Sequence, residues 1–231
     1  LFSLVLYIRM NVSKIELIKS SFYITYAFLM TTATITFIEA IKTKDEKVRN
    51  ILNLETCISL VATFFYGKFI SMFDKDGTVD YKLMNFTRYV DWSITTPIML
   101  LVLVLALLYN NKAGQLNFTS FLIILFLNYG MLGSGYAGET KMMDKTQANG
   151  IGFLFFFGLY YFIYKKYLST KYNLANYVLF FSFVFLWTFY GVVYFMDEVT
   201  KNVIYNILDL FSKCFVGIFF WAYYTNVFLL Q

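Results

Sequence analysis

The chain predicts an all-α membrane protein, a bundle of seven transmembrane helices, and three observations carry that prediction. Hydrophobic residues make up 59% of the 231 and charged residues only 14%, against the quarter or so charged in an ordinary soluble domain. The apolar residues fall into seven blocks near the roughly 20 residues a helix needs to cross a bilayer. Between the blocks lie only short polar stretches, among them Lys42–Arg49, Asp74–Gly77, Asn110–Gly114 and Lys141–Gln147. None is long enough for a second domain, so residues 1–231 read as one domain.

The spans run, in order, over about Ile15–Ile41, Ile51–Phe73, Tyr81–Tyr109, Leu116–Gly138, Gly150–Leu168, Tyr172–Phe195 and Val203–Leu229. Residues 1–12 precede the first as an apolar segment too short to cross by itself, expected outside the cell. Basic residues are commoner after spans one, three and five (Lys42, Lys44, Lys47, Arg49, Lys112, Lys165, Lys166, Lys171) than after the even spans. That bias puts the amino terminus outside and the carboxyl terminus in the cytoplasm, although Arg9, Lys14 and Lys19 oppose it. The net charge of +5 forms no basic stripe, which argues against nucleic acid and leaves lipid as the surrounding partner. There is no histidine, and Cys57 and Cys214 lack metal-ligand spacing. Both read as buried free thiols, and no metal site is expected.

An ionisable residue in mid-membrane costs roughly 2.5–3.5 kcal/mol on insertion scales and needs a reason to be there. Glu55, Arg88, Asp91, Asp209 and Lys213 all lie inside spans. Glu39 and Lys68 sit nearer span ends and can snorkel to the headgroups. Asp209 and Lys213 are one turn apart on one face of the last span. They read either as an ion pair tying helices together or as a desolvated amine able to attack an aldehyde. In the third span Asp91 and Thr95 share a stripe with position 102, and Arg88 lies one turn before Asp91. Two cations and two anions sum to zero, as a desolvated site requires.

At these residues the chain resembles the microbial (type 1) rhodopsins. The stretch Arg88-Tyr-Val-Asp-Trp-Ser-Ile-Thr-Thr-Pro97 matches the third-helix motif Arg-Tyr-x-Asp-Trp-x-x-Thr-Thr-Pro, and Asp209 and Lys213 match Asp-x-x-x-Lys in the seventh. The resemblance implies all-trans retinal bound to Lys213 as a protonated Schiff base at the centre of the bundle. It makes Asp91 the primary counterion and proton acceptor and Asp209 the second counterion. Arg88 would steer charge on the outer side, and Thr95 would bond Asp91. The pocket would be lined by Tyr89, Trp92, Thr96, Met99, Met131, Gly135, Trp187, Tyr190 and Tyr194, with Tyr66 a further match. An apolar residue at Met99 goes with green absorption in the family.

Two departures matter. Gly191 stands after Tyr190 where the family usually has proline, and Val102 stands where it usually has a carboxylic acid that returns the proton from the cytoplasm. Glu55 on the second span, placed by the family's spacing to Tyr66 on the cytoplasmic half facing Val102, is the expected replacement. An acid between apolar walls holds its proton until asked for it. The alternative is a span-end glutamate in water beside Arg49. A second-helix acid and a compact chain resemble the rhodopsins of giant viruses. The implied function is a light-driven outward proton pump, not an enzyme. A light-gated cation channel is the alternative and a sensory photoreceptor a third reading. Protons or small cations are the implied cargo, and a homo-oligomer (pentamer or trimer) the implied assembly.

Overall fold

A computed structural model describes residues 2–74, 78–112, 114–169 and 171–225, with side chains from residue 14 onward. Seven helices follow one another: α1 Phe2–Lys42, α2 Glu46–Ser71, α3 Tyr81–Asn110, α4 Phe118–Glu139, α5 Lys145–Ile163 with a π-helical last turn Tyr164–Leu168, α6 Leu174–Val193 and α7 Glu198–Tyr224. Five of them (α1 from Lys14, α3, α4, α6 and α7) are long and apolar enough by composition to cross a membrane. The other two complete the bundle, with α1 packed on α2, α2 on α3, α4 on α5, and α7 against α1.

The opening segment joins the first span in one continuous helix, α1, from Phe2 to Lys42. At about 1.5 Å per residue its 41 residues extend to roughly 60 Å, twice a hydrocarbon core. Cys57 is exposed rather than buried, and Cys214 alone is enclosed. The second span also begins earlier than its apolar run, since Asp45 caps it and the charged turn Glu46–Arg49 is already helical. The expected end of the last span at Leu229 lies outside the described residues, as does the side chain of Arg9.

Each helix from α2 onward starts on an Asp or Asn whose side chain accepts backbone N–H groups of the first turn: Asp45, Asp80, Asn117, Asp144, Asn173 and Asp197. These residues satisfy the orphan donors of the helix start and fix where each loop ends. Burial pushes the Asp45 carboxyl up, but donation from Val48 N–H, the Tyr109 hydroxyl and Lys47 N–H outweighs it and leaves the group below its ordinary range.

The larger core joins α3 (Met99 to Leu107) with Phe156, Leu159, Tyr160 and Ile163 of α5 and Leu179, Phe180, Phe183 and Trp187 of α6. A second core joins Ile18, Phe22 and Leu29 of α1 to Phe65, Tyr66 and Phe69 of α2. Large apolar side chains also cover the outside, including Phe64, Phe126, Leu154, Phe157 and Phe185. In water such a surface would drive aggregation; in lipid it is the solvated one. The fold is that of an integral, multi-pass membrane protein. Gly191 has a local reason: a Cβ there would stand 2.6 Å from Cζ of Phe153, so the glycine lets α5 and α6 close on each other.

Candidate functional site: a buried lysine at the end of an apolar cavity

The polar residues of α7 recur on one face, at Asn202, Asn206, Asp209 and Lys213, and all four are buried. Around Lys213 the helix widens into a π-helical stretch, Leu210–Phe215, a local unwinding often found at functional sites. The Lys213 ammonium donates to Asp91 Oδ2 at 2.9 Å and to Asp209 Oδ2 at 3.3 Å. The two carboxylates expected around it are therefore both in contact.

Their surroundings differ. Asp209 accepts from the Tyr190 hydroxyl at Oδ1 (2.7 Å) and from the Tyr66 hydroxyl at Oδ2 (2.9 Å), and Arg88 Nη1 stands 3.8 Å away. Asp91 has Lys213 on Oδ2, while its Oδ1 has no hydrogen-bond partner among the described residues. A carboxylate already held by two hydroxyls and two cations is a fixed anion; one with a free oxygen can take a proton.

Thr95 does not bond the Asp91 carboxylate as expected. Its hydroxyl donates to the backbone carbonyl of Asp91, at 2.9 Å. A threonine inside a helix finds the carbonyl four residues back within reach, and that local bond wins over the side chain. Thr96 makes the same bond to Trp92 and in addition accepts from Asn128 of α4.

Arg88 is buried and donates through Nη2 to Asn202 and Asn206, both at 2.9 Å, with its guanidinium 4.9 Å from the Phe69 ring. Asn202 in turn donates to the carbonyl of Glu198. Beyond it the fully buried Lys201 bridges Glu198 (2.8 Å) and Glu139 of α4 (2.9 Å), and Asn85 donates to both acids. Sequence reasoning missed this chain of groups, although the recurrence of polar residues at i, i+4, i+7 and i+11 over Asn202, Asn206, Asp209 and Lys213 was its signal.

Glu55 is 2% exposed, which excludes a water-facing position. Its carboxyl lies against α7, a side of the bundle the sequence did not point to: a Cβ at Gly217 would stand 3.0 Å from Glu55 Oε2 and 2.9 Å from Thr32 Cγ2. Val102 is fully buried, so α3 offers no acid at its level.

A cavity opens from Lys213 between α3, α4, α5, α6 and α7, concave and mostly apolar with a few convergent polar groups, as small-molecule sites are. Tyr89, Trp92, Thr96, Met99, Met131, Gly135, Trp187, Tyr190 and Tyr194 all line it, together with Asp209. Unforeseen are Tyr205 and Ser212 of α7 and the whole α5 wall, Ala148, Asn149, Gly152, Phe153 and Phe156. In so aromatic a chain these look like ordinary packing; only the i, i+4 pairs Ala148/Gly152 and Asn149/Phe153 mark one face. Gly135 keeps the wall thin, since a Cβ there would meet the Tyr89 hydroxyl at 2.6 Å. A long apolar aldehyde such as retinal fits these residues, with aromatic walls for its length and one buried amine at the end to join it.

The profile of a family described as bacteriorhodopsin-like protein matches residues 16–227. A crystal structure of the viral rhodopsin OLPVRII superposes with a TM-score of 0.86 and 55% identity, covering 92% of this chain and 99% of that one. Acetabularia rhodopsin I superposes with a TM-score of 0.76 over 92% of this chain and 96% of that one, at 19% identity, a likeness of fold alone. A green-light absorbing proteorhodopsin from Gamma-proteobacterium EBAC31A08 is 29% identical over 158 residues, 58% of this chain. The match spans 59% of the length of that curated relative.

Proposed function

The chain belongs to the bacteriorhodopsin-like family as a retinal-binding microbial rhodopsin of the viral group, and we propose that it is a light-driven outward proton pump. The observation that carries the reading is that Lys213 has an acid on each side. Asp91 touches Nζ on the Arg88 side, and Glu55 is enclosed against Gly217, one turn of α7 further on. With the amino terminus outside, as the charge bias favours, the Arg88 side is the extracellular one.

All-trans retinal, once bound in the cavity, supplies the absorption of light and the change of shape that drives the proton. The chain's own residues set the route. Asp91 accepts the proton held at Lys213 Nζ, because its Oδ2 is 2.9 Å away and its Oδ1 has no hydrogen-bond partner among the described residues. Asp209 stays anionic under its two tyrosines and holds Arg88 and Lys213 in place. Arg88, already bonded to Asn202 and Asn206 and 3.8 Å from Asp209, links the site to the outer cluster as charge moves outward. Glu55 then gives its proton back to Nζ from the other side and is refilled from the cytoplasm. The family's homo-oligomeric assembly completes this reading, with exposed rings such as Phe126, Phe157 and Tyr161 as surface for neighbours or lipid.

The test is Glu55→Gln in pigment-loaded membranes, followed by flash absorbance. The reading expects recovery of the Nζ proton to slow by about 10²-fold or more, the scale of a positioned proton donor. Sodium azide, a small mobile acid, should restore the rate. An unchanged recovery in the variant contradicts the pump assignment of Glu55.

A further inference from the structure

We propose that the Ser59 hydroxyl relays the proton from Glu55 to Lys213 Nζ, with Gly217 seating the Glu55 carboxyl for the transfer; the inference rests on the reading of Glu55 as donor. Two observations place Ser59 on that line, and a third seats the acid. Ser59 is fully buried, and its Oγ has no hydrogen-bond partner among the described residues. Buried hydroxyls are nearly always paired, so an orphan in the interior asks for a role.

The helical repeat then fixes its direction. Glu55, Ser59, Ala62 and Tyr66 recur at i, i+4, i+7 and i+11 and therefore share one face of α2, and all four are buried. Both ends of this stripe touch α7: Glu55 lies against Gly217, and the Tyr66 hydroxyl donates to Asp209. The two helices run antiparallel, so the stretch of α2 between Glu55 and Tyr66 faces the stretch of α7 between Gly217 and Asp209. Lys213 lies midway along that stretch. Ser59, about 6 Å along α2 from Glu55, falls between the acid and the amine.

Gly217 supplies the third observation. Any side chain there would press on Glu55 Oε2 and on Thr32, so the glycine is what allows the carboxyl to come this close to α7. The proton path thereby follows the α1–α2–α7 seam and bypasses α3, where Val102 has nothing to exchange.

The step balances as a hand-over once the motion after light absorption brings Ser59 Oγ, which has no partner among the described residues at rest, within hydrogen-bond reach of Glu55 and Nζ. The O–H bond of the Glu55 carboxyl breaks and its proton goes to Ser59 Oγ, while the proton Ser59 already carries passes to Lys213 Nζ. A carboxylate remains at Glu55, the serine is unchanged, and the amine nitrogen regains one positive charge.

The experiment compares Ser59→Ala, Ser59→Thr and Glu55→Gln in pigment-loaded protein by flash absorbance. Ser59→Ala should slow recovery about 10-fold, less than the 10²–10⁴ of a lost donor because Glu55 remains. Azide should restore it, and Ser59→Thr, which keeps the hydroxyl, should recover at the wild-type rate. In the chromophore-free protein, the infrared carbonyl band that disappears in Glu55→Gln should shift in Gly217→Ala. Wild-type recovery in Ser59→Ala, with Glu55→Gln slow, overturns the relay and leaves the donor standing. Wild-type recovery in Glu55→Gln removes the donor and the relay together.

Discussion

Lys213 Nζ and Asp91 Oδ2 stand 2.9 Å apart, and the other oxygen of Asp91 has no hydrogen-bond partner among the described residues. Asp209, the second carboxylate on the same ammonium, has both oxygens engaged by tyrosines. The site is thus a pair of unequal anions, one fixed and one available. The division of labour between them follows from hydrogen bonding alone.

Asp91→Asn should remove the available acceptor and leave one uncompensated positive charge in the site, since Arg88 and Lys213 would then face only Asp209. Light-driven proton release from vesicles should fall at least about 100-fold, the scale of a lost proton-transfer partner. Asp209→Asn should instead disturb the dark protein, because Tyr66, Tyr190, Arg88 and Lys213 all lose one shared partner. Spectrophotometric titration of the two pigments separates these outcomes.

Thr95→Val tests the corrected bond. Because the hydroxyl donates to the Asp91 backbone carbonyl and not to its carboxylate, its loss should leave the pH midpoint of the pigment's colour change nearly where it is. A midpoint displaced by a full pH unit would mean the hydroxyl reaches the carboxylate after all. That displacement corresponds to about 1.4 kcal/mol.

Gly138 sits where α4 meets α5 and α6. A Cβ there would stand 2.6 Å from Ala148 Cβ, which the backbone holds in place, and would also press on the Tyr194 hydroxyl. Gly138→Ala should destabilise the pigment by about 1–3 kcal/mol, the range for overpacking, seen as a lower bleaching temperature. Ala at Gly133, where a Cβ meets nothing within 4 Å, is the control and should leave that temperature unchanged.

Asp197 caps α7 outside the membrane-spanning helices. Its hydrogen bonds from the Thr200 side chain and backbone N–H hold its carboxyl below the ordinary range. A depressed folded value means stability that is present above the unfolded value, near 3.9, and lost as pH falls through the folded one. Asp197→Ala should cost about 0.5–2 kcal/mol near neutral pH, and part of that difference should vanish in acid. Thermal melts of both proteins from pH 7 down to below pH 3 measure it.

The spans were legible because lipid imposes a single requirement, a run of apolar residues of sufficient length. Arg88, Asp91, Asp209 and Lys213 were legible because charges there violate it. The start of α2 was hidden, since its first turn is charged and only Asp45 marks it as helical. The π-helical turn at Lys213 leaves no trace in residue type, being a property of how α7 packs. Likewise the α5 wall of the cavity consists of Ala, Gly and Phe, which serve equally well in any helix contact. Glu55 was visible as a misplaced charge, but its neighbour was not. Only the approach of Gly217 in space shows that the acid belongs to the α7 seam.

The central claim is that light moves protons outward against a gradient, and a current–voltage record on retinal-loaded membranes tests it most directly. With identical solutions on both sides, the account predicts outward current at zero voltage that persists at moderately negative potentials and does not change with the cations present. A current that vanishes at zero voltage and reverses at a potential set by the ions would mean a channel, and no steady current at all would mean a sensor. Either result contradicts the account.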